Sequence, residues 1–339
     1  MNKWLRLSLI VLLIIGVVGC FVGLTRGSTF AVLTPRGTIG AQQRDLLFLA
    51  TGLMALIVVP VLALTFGIAW RFRAGNTKAT YRPNWDRNAV LETIWWGFPC
   101  VIILVLAGII WRSSHALDPT RALASSKPPL TIQVVSLPWK WLFIYPEQHI
   151  ATVNYVQFPA GTPVRFQLTS DAPMNSFWIP QLGGQIYTMT GMSTELNLMA
   201  DAPGSFSGVS ANLSGKGFAG MRFIAKATTQ SDFDQWVATV GQSRNTLDRA
   251  TYDKLALPSE NVEPLYYAGT ANRLFESIIA SYLYPTPSPK KPAARSTMPM
   301  PMVTPRLVSP TVAPAQSPTP SFAPTVTPTP SKIPVRIQR

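Results

Sequence analysis

Two long apolar runs, "LLFLATGLMALIVVPVLALTFGIAW" (46–70) and "TIWWGFPCVIILVLAGIIW" (93–111), constrain this chain more than any other feature. At 1.5 Å per residue they reach about 37 Å and about 28 Å, enough to cross a bilayer's hydrocarbon core, with tilt in the first. Both predict transmembrane helices, over 46–70 and 91–112. Pro60, midway along the first, predicts a kink. Trp95, Trp96 and Trp111 flank the second, where an interfacial aromatic belt is expected. The connecting loop, 71–90, carries Arg71, Arg73, Lys78, Arg82 and Arg87 against Asp86 alone. That excess of cations in a short loop places it in the cytoplasm. Segment 20–45 and everything after the second span then lie outside.

The opening "MNKWLRLSLIVLLIIGVVGC" has two cations, an apolar run and then small residues, the layout of a signal peptide over 1–19. Its "VVGC" resembles the bacterial lipoprotein cleavage box, which makes Cys20 the expected lipid-bearing residue. A lipid-anchored protein of the bacterial inner (cytoplasmic) membrane follows, and the signal agrees with the orientation read from the loop. Cys20 and Cys100 are the only cysteines, and both lie in or beside apolar runs. The outer part therefore has no thiol for a disulfide, a nucleophile or a metal. Of the two histidines, His115 abuts a span and His149 sits in a turn after "YPEQ". Asp171, Glu195 and Asp201 have no spacing that makes a catalytic pair, so no catalytic residue is assigned.

From 125 to 228 the chain changes texture. "LTIQVVSL", "WLFIY", "ATVNYVQF", "PVRFQL" and "TELNLMA" are short alternating runs separated by turn formers, which predicts a β-sandwich or Greek-key barrel of about 100 residues. Residues 229–284 turn helical. "SDFDQWVATV" has Ser231 as its expected N-cap, and "NRLFESIIASYL" reads as a further short amphipathic helix. The stretch 285–339 holds fifteen prolines with Ser and Thr, seven Lys or Arg and no acid. Such a composition buries no core and reads as an extended, disordered tail. Half of the formal charge of +14 lies there, not on a folded basic face interleaved with aromatics, so nucleic acid is not an expected partner.

This order of lipoprotein signal, two spans, outer β domain and short helices resembles subunit II of the haem-copper respiratory oxidases. The resemblance implies a cupredoxin-like outer domain. In cytochrome c-oxidising members that domain holds a binuclear copper centre on two histidines, two cysteines, a methionine and a backbone carbonyl. In this chain "NSFWIPQLGGQIYTM" puts Asn175 where the first histidine would be. "SANLSGKGFAGM" puts Ser210 and Ser214 at the cysteines, Asn212 at the carbonyl donor, Phe218 at the second histidine and Met221 at the methionine. Four of the five side-chain ligands are replaced, and a hydroxyl, an amide and a phenyl ring are poor partners for copper. The resemblance therefore narrows to the ubiquinol-oxidising branch of cytochrome bo type, also through "LTPRGTIGAQQRDL", "YRPNWDRN" and "PWKWLFIYPEQHIATVN".

What that branch implies is a chain with no cofactor or metal of its own. Haems, copper and the quinol site belong to a partner, subunit I, and no docking of cytochrome c is expected. Membrane lipid and other oxidase subunits are the remaining implied partners. Trp139 and Trp141 match aromatics near the electron entry of copper-bearing relatives and read here as packing. Glu92, at the cytoplasmic edge of the second span, matches a glutamate at the mouth of a proton-uptake path; a carboxylate at a helix N-terminus is also favoured by the dipole alone. The competing reading is a free-standing membrane lipoprotein with a β-sandwich binding module.

Overall fold

The computed structural model describes residues 16, 30–80 and 87–284. Cys20, most of the signal segment and the Pro-rich tail lie outside them. Two long helices come first, α1 (Thr38–Arg71) and α2 (Ala89–Ala116). Their apolar side chains face outward all round; Gly40 and Ile102 are the residues buried on them. Trp95, Trp96 and Trp111 are 75%, 73% and 72% exposed. Surface of this kind requires lipid or another protein to cover it. The first helix runs unbroken through Pro60. It also starts at Thr38, ahead of the apolar run, because its first turns dock on the β domain.

That docking fixes the hairpin's polarity. Arg36 N–H donates to Gln181 O at 2.8 Å, Gly40 N–H to Leu182 O at 2.9 Å, and Thr38 Oγ1 to Asp201 at 3.0 Å. A Cβ on Gly37 would stand 2.4 Å from Met199 O, so only glycine allows the approach. Beyond α2, Pro119 O accepts from Asn197 N and Nδ2 at 3.0 and 3.1 Å. The β domain therefore sits at the end of the hairpin opposite the basic loop.

The strands are β1 (Leu130–Leu137), β2 (Lys140–Tyr145), β3 (Ile150–Val153), β4 (Tyr155–Pro159), β5 (Val164–Ser170), β6 (Asn175–Trp178), β7 (Ile186–Thr188), β8 (Thr194–Leu198), β9 (Gly204–Ser210), β10 (Arg222–Thr228) and β11 (Leu265–Tyr267). They form two sheets, β11-β3-β2-β1-β5-β8 and β4-β10-β9-β6-β7, as expected for a cupredoxin-like sandwich. Pairs β1–β5 and β4–β10 are parallel and the rest antiparallel. The run "ATVNYVQF", expected as one strand, is two. Asn154 adopts φ 55°, and the chain crosses there from the first sheet to the second. Asparagine tolerates that conformation, and its side chain is used fully: Oδ1 accepts from Trp141 N at 2.8 Å and Nδ2 donates to Val262 O at 2.7 Å.

Between the sheets lies an aromatic core of Trp141, Phe143, Phe166, Phe177 and Phe223. The other face of the first sheet is also buried. Val135, Leu137, Leu142 and Ile144 pack on the C-terminal helices α4 (Arg249–Leu255) and α5 (Leu274–Leu283) through Tyr252, Phe275 and Ile278. Strand β2 is consequently buried at every position.

Helix α3 (Gln230–Gly241) is capped by Thr229, not by the expected Ser231, which lies inside its first turn. Thr229 Oγ1 accepts from Asp232 N at 3.2 Å. Thr229→Ala should cost about 1 kcal/mol, whereas Ser231→Ala should be near neutral. Thermal midpoints of the two detergent-purified variants distinguish these caps.

Candidate functional site

The residues that the family resemblance sets at copper-ligand positions lie at one end of the second sheet, where β6 and β9 pair with Phe177 opposite Ser210. Asn175 is 1% exposed at the start of β6. Its Nδ2 donates to Ser136 Oγ on β1 at 2.7 Å and to Pro173 O at 2.8 Å, and its Oδ1 accepts from Ser210 Oγ at 3.1 Å. Ser210 Oγ also lies 3.3 Å from Asn212 O, and Asn212 Nδ2 donates to Met174 O at 2.8 Å. A neutral hydrogen-bonded chain thus links Ser136, Asn175, Ser210 and Asn212. Met221 is buried at 1% exposure, and Phe218 opens the short 3-10 turn Phe218–Gly220. Ser214 Oγ is buried with no hydrogen-bond partner, a polar atom left over from the loop's geometry. Among the described residues no three of His, Cys, Asp and Glu cluster as a metal site would.

Trp139 braces this loop. It is in the left-handed region, φ 63°, after Pro138, a conformation that costs a bulky residue on the order of 1–3 kcal/mol. Surrounding contacts hold it there. Its Nε1 donates to Ser214 O at 3.1 Å, and its ring lies over Gly217, where a Cβ would come within 2.5 Å. Trp141, two residues on, points into the core and packs edge-on to Phe177 at 5.3 Å. The packing role expected for both tryptophans is what they perform.

A strap from the C-terminal extension, residues 257–262, lies across the same loop; the sequence pattern had not singled it out. Lys140 Nζ donates to Leu257 O at 2.7 Å and closely to Ser259 Oγ. Lys216 pairs with Glu260 at 3.2 Å, and Asn261 Oδ1 fills the space a Cβ on Gly220 would need. Lys140 itself is 1% exposed, and burial pulls its ammonium down to about 8. The unfolded chain then holds a proton that the folded chain has lost between pH 8 and the ordinary lysine value. The Lys140 contribution to stability should accordingly rise with pH through that window, by about 3 kcal/mol at most, and fall back as pH drops towards 8. Lys140→Met should lose this gain, so wild type should rise relative to the variant from pH 8 to pH 10 in paired thermal scans, while the buried tyrosines, whose phenols are held above their ordinary value, lower both alike towards pH 10.

The remaining sequence-selected carboxylates are structural. Asp171 accepts from Tyr252 and Tyr282, each at 2.6 Å, tying α4 and α5 to the sandwich. Burial, and beyond it the Asp171 charge, pushes the Tyr252 phenol far above its ordinary value, so it stays a donor at all physiological pH. Glu195 pairs with Arg165 at 2.6 Å. Asp201 holds Thr38. His149 is exposed in a turn. Glu92 lies in the first turn of α2, exposed, after the N-cap Asn88 whose side chain accepts from Leu91 N at 3.1 Å. The structure thus brings Asn175, Ser210 and Asn212 into contact and leaves Glu92 at the far end of the hairpin.

An apolar helical hairpin carrying an outer two-sheet sandwich, with its polar cluster at the β6–β9 end, defines the class: a chain with two membrane-spanning-type helices and an outer cupredoxin-like domain. Residues 242–286 match the family model described as COX Aromatic Rich Motif. Over 256 residues the chain is 51% identical to the cytochrome bo(3) ubiquinol oxidase subunit 2 of Pseudomonas aeruginosa, covering 76% of this chain and 77% of that one. It is 45% identical over 262 residues to the ubiquinol oxidase subunit 2 of Acetobacter aceti, covering 76% and 85%. The periplasmic domain of subunit II of the cytochrome oxidase of Bradyrhizobium japonicum aligns at 23% identity and TM-score 0.33, over 35% of this chain and 96% of that domain. The chain belongs to the ubiquinol oxidase subunit 2 family and is a subunit of an oxidoreductase complex.

Proposed function

We propose that this chain is the copper-free second subunit of a proton-pumping ubiquinol oxidase, with no redox centre of its own. In this reading ubiquinol is oxidised and oxygen is reduced to water in subunit I, which holds the haems and copper. The observation that carries the proposal is the closed hydrogen-bond chain at the ligand positions. Asn175 and Ser210 satisfy each other at 3.1 Å, and Phe218 brings no donor atom, so the donor set does not suit copper. An electron donor dissolved in the lipid makes a water-facing copper relay unnecessary, and the strap braces the loop at Lys216, Gly217 and Gly220.

The exposed apolar surface of α1 and α2 suits packing against subunit I and lipid. Cys20 is the lipid attachment point after cleavage of residues 1–19, and the sandwich stands on the outer side of the bacterial cytoplasmic membrane. Glu92, in solvent reach at the opposite end, lies at the entrance of a proton-uptake path. The test is a tagged chain purified gently in detergent. Haem bands in stoichiometric amount, with quinol turnover, support the reading, and a colourless single chain from a preparation that preserves such complexes defeats it. Within that complex, Glu92→Ala should slow turnover and lower pumping; unchanged values remove Glu92 from the path.

A further inference from the structure

Where α3 crosses the edge of the second sheet, Trp236, Tyr155 and Tyr266 stand in a row along a cleft of about 990 Å³. Successive ring centroids are 5.9 Å and 5.8 Å apart, and the rings turn by 46° and 64° from one to the next. All three are half-buried. Trp236 is held by Tyr145 at 5.6 Å and Phe233 at 5.9 Å, so packing fixes the row. Tyr266 belongs to the segment 242–286 that matches the aromatic-rich family model, and the cleft is the seam between that segment and the sandwich. The rest of the lining is polar but carries no net charge. Exposed Lys226 and Asp232 cancel, while Gln235 and Ser205 add an amide and a hydroxyl that donate and accept alike. Burial pushes the Tyr155 phenol up to about 12 and raises that of Tyr266, so both remain neutral hydroxyls.

We propose that this cleft binds a neutral, extended glycan chain of pyranose units, at a site separate from the copper-loop positions. Three properties of the lining select that ligand. Balanced charge offers no net attraction to a phosphate, a nucleotide or a basic segment, and suits a ligand without charge. Aromatic faces cover the apolar C–H faces of pyranose rings, and rings turned away from one another meet successive units of a chain, not one flat polycycle. Groups that both donate and accept match sugar hydroxyls, which do the same. A proline-rich peptide offers acceptors alone and would leave the Asp232 carboxylate without a donor. The volume lies at the upper end of the roughly 300–1,000 Å³ of small-molecule sites, room for a few units of a longer chain. On the outer side of the membrane, where the sandwich is placed above, the polymer of this chemistry is the cell-wall glycan. That source rests on the placement; binding itself does not.

The experiment uses the full chain in its purified complex, in a detergent without a sugar headgroup. Saturation-transfer NMR should show transfer to chitotetraose, an extended β-1,4-linked chain, and several-fold less to maltotetraose, whose α-linkages curl it. Trp236→Leu removes one stacking face and should weaken chitotetraose binding about tenfold. Thr239→Trp, an exposed change on α3 that fills the cleft, should abolish it, and it serves where Trp236→Leu fails to fold. No transfer to chitotetraose at millimolar concentration overturns the proposal. Transfer that persists unchanged in folded Thr239→Trp overturns it too, because the glycan then sits elsewhere on the complex. Equal transfer to maltotetraose overturns the extended chain. Purified cell-wall glycan should retain the wild-type complex and not Thr239→Trp; chitotetraose binding without that retention overturns the cell wall as the source.

Discussion

Phe177→Ala should cost about 3–5 kcal/mol, a large share of the 5–15 kcal/mol that holds a typical domain together. Phe177 has no exposed surface. It stacks on Phe223 at 5.0 Å with the rings 11° apart, meets Trp141 at 5.3 Å and Phe166 at 5.2 Å, and lies 6.2 Å from Phe143. Removing the ring leaves a hole between the two sheets with rigid aromatic walls that cannot close over it, which puts the loss at the upper end of large-to-small substitutions. The effect also reaches the polar cluster. Phe177 pairs with Ser210 across β6 and β9, and Asn175 is two residues away on the same strand. The variant should therefore accumulate poorly in membranes and melt well below wild type, while Phe177→Leu should lose less. A Phe177→Ala midpoint within a degree or two of wild type would show that this stack does not carry the core.

The same residues mark where sequence reasoning reached and where it stopped. The two long helices and the outer sandwich were legible because each rests on a local pattern: a long apolar run and alternating short runs. Asn154 was not. In sequence it is one polar residue inside "ATVNYVQF", and only its left-handed backbone, used to pass from one sheet to the other, separates two strands. The strap 257–262 and the Asp171–Tyr252–Tyr282 tie join residues far apart in the chain, so no window of sequence could hold them. One signal did exist. "WLFIY", grouped above with the alternating runs, is apolar throughout, and a strand covered on both faces implies that something must lie on the sheet's outer face. The C-terminal helices are that cover. At Thr229 the error was one of register, since both Thr229 and Ser231 are capping residues ahead of the same acid and only the side-chain bond to Asp232 N separates them.

The other large effect expected is a gain. Asn175→His, Ser210→Cys, Ser214→Cys and Phe218→His together should convert a chain that keeps only the Met221 thioether at these positions into one that holds a coloured binuclear copper centre. Backbone placement is already in hand. Asn175 and Ser210 face each other closely enough for their side chains to bond at 3.1 Å, so imidazole and thiolate placed there would share a site. The loop returns through Gly215, at φ 105°, which any residue with a side chain would resist, and brings Ser214 back under the Trp139 indole. Met221 is already buried beneath, supplying the thioether. Ser214 Oγ has no partner to lose, so a thiolate there breaks no bond, whereas replacing Asn175 and Ser210 gives up their mutual bond and the one to Ser136. Those losses, about 1 kcal/mol each, are small beside the free energy of metal–thiolate coordination, so the metal-loaded variant should melt higher than the metal-free one. Phe218 is the demanding position, because its turn is pressed by Asn261 of the strap at Gly220. The triple variant that keeps Phe218 should therefore bind copper more weakly and with an altered spectrum. Absorption spectra and copper-to-protein ratios of the purified variants decide the matter, with circular dichroism as the check on folding. A folded quadruple variant that stays colourless and copper-free would mean that the loop from Ser210 to Met221 is not the equivalent of the copper loop, and the copper-free reading of this subunit would lose its footing.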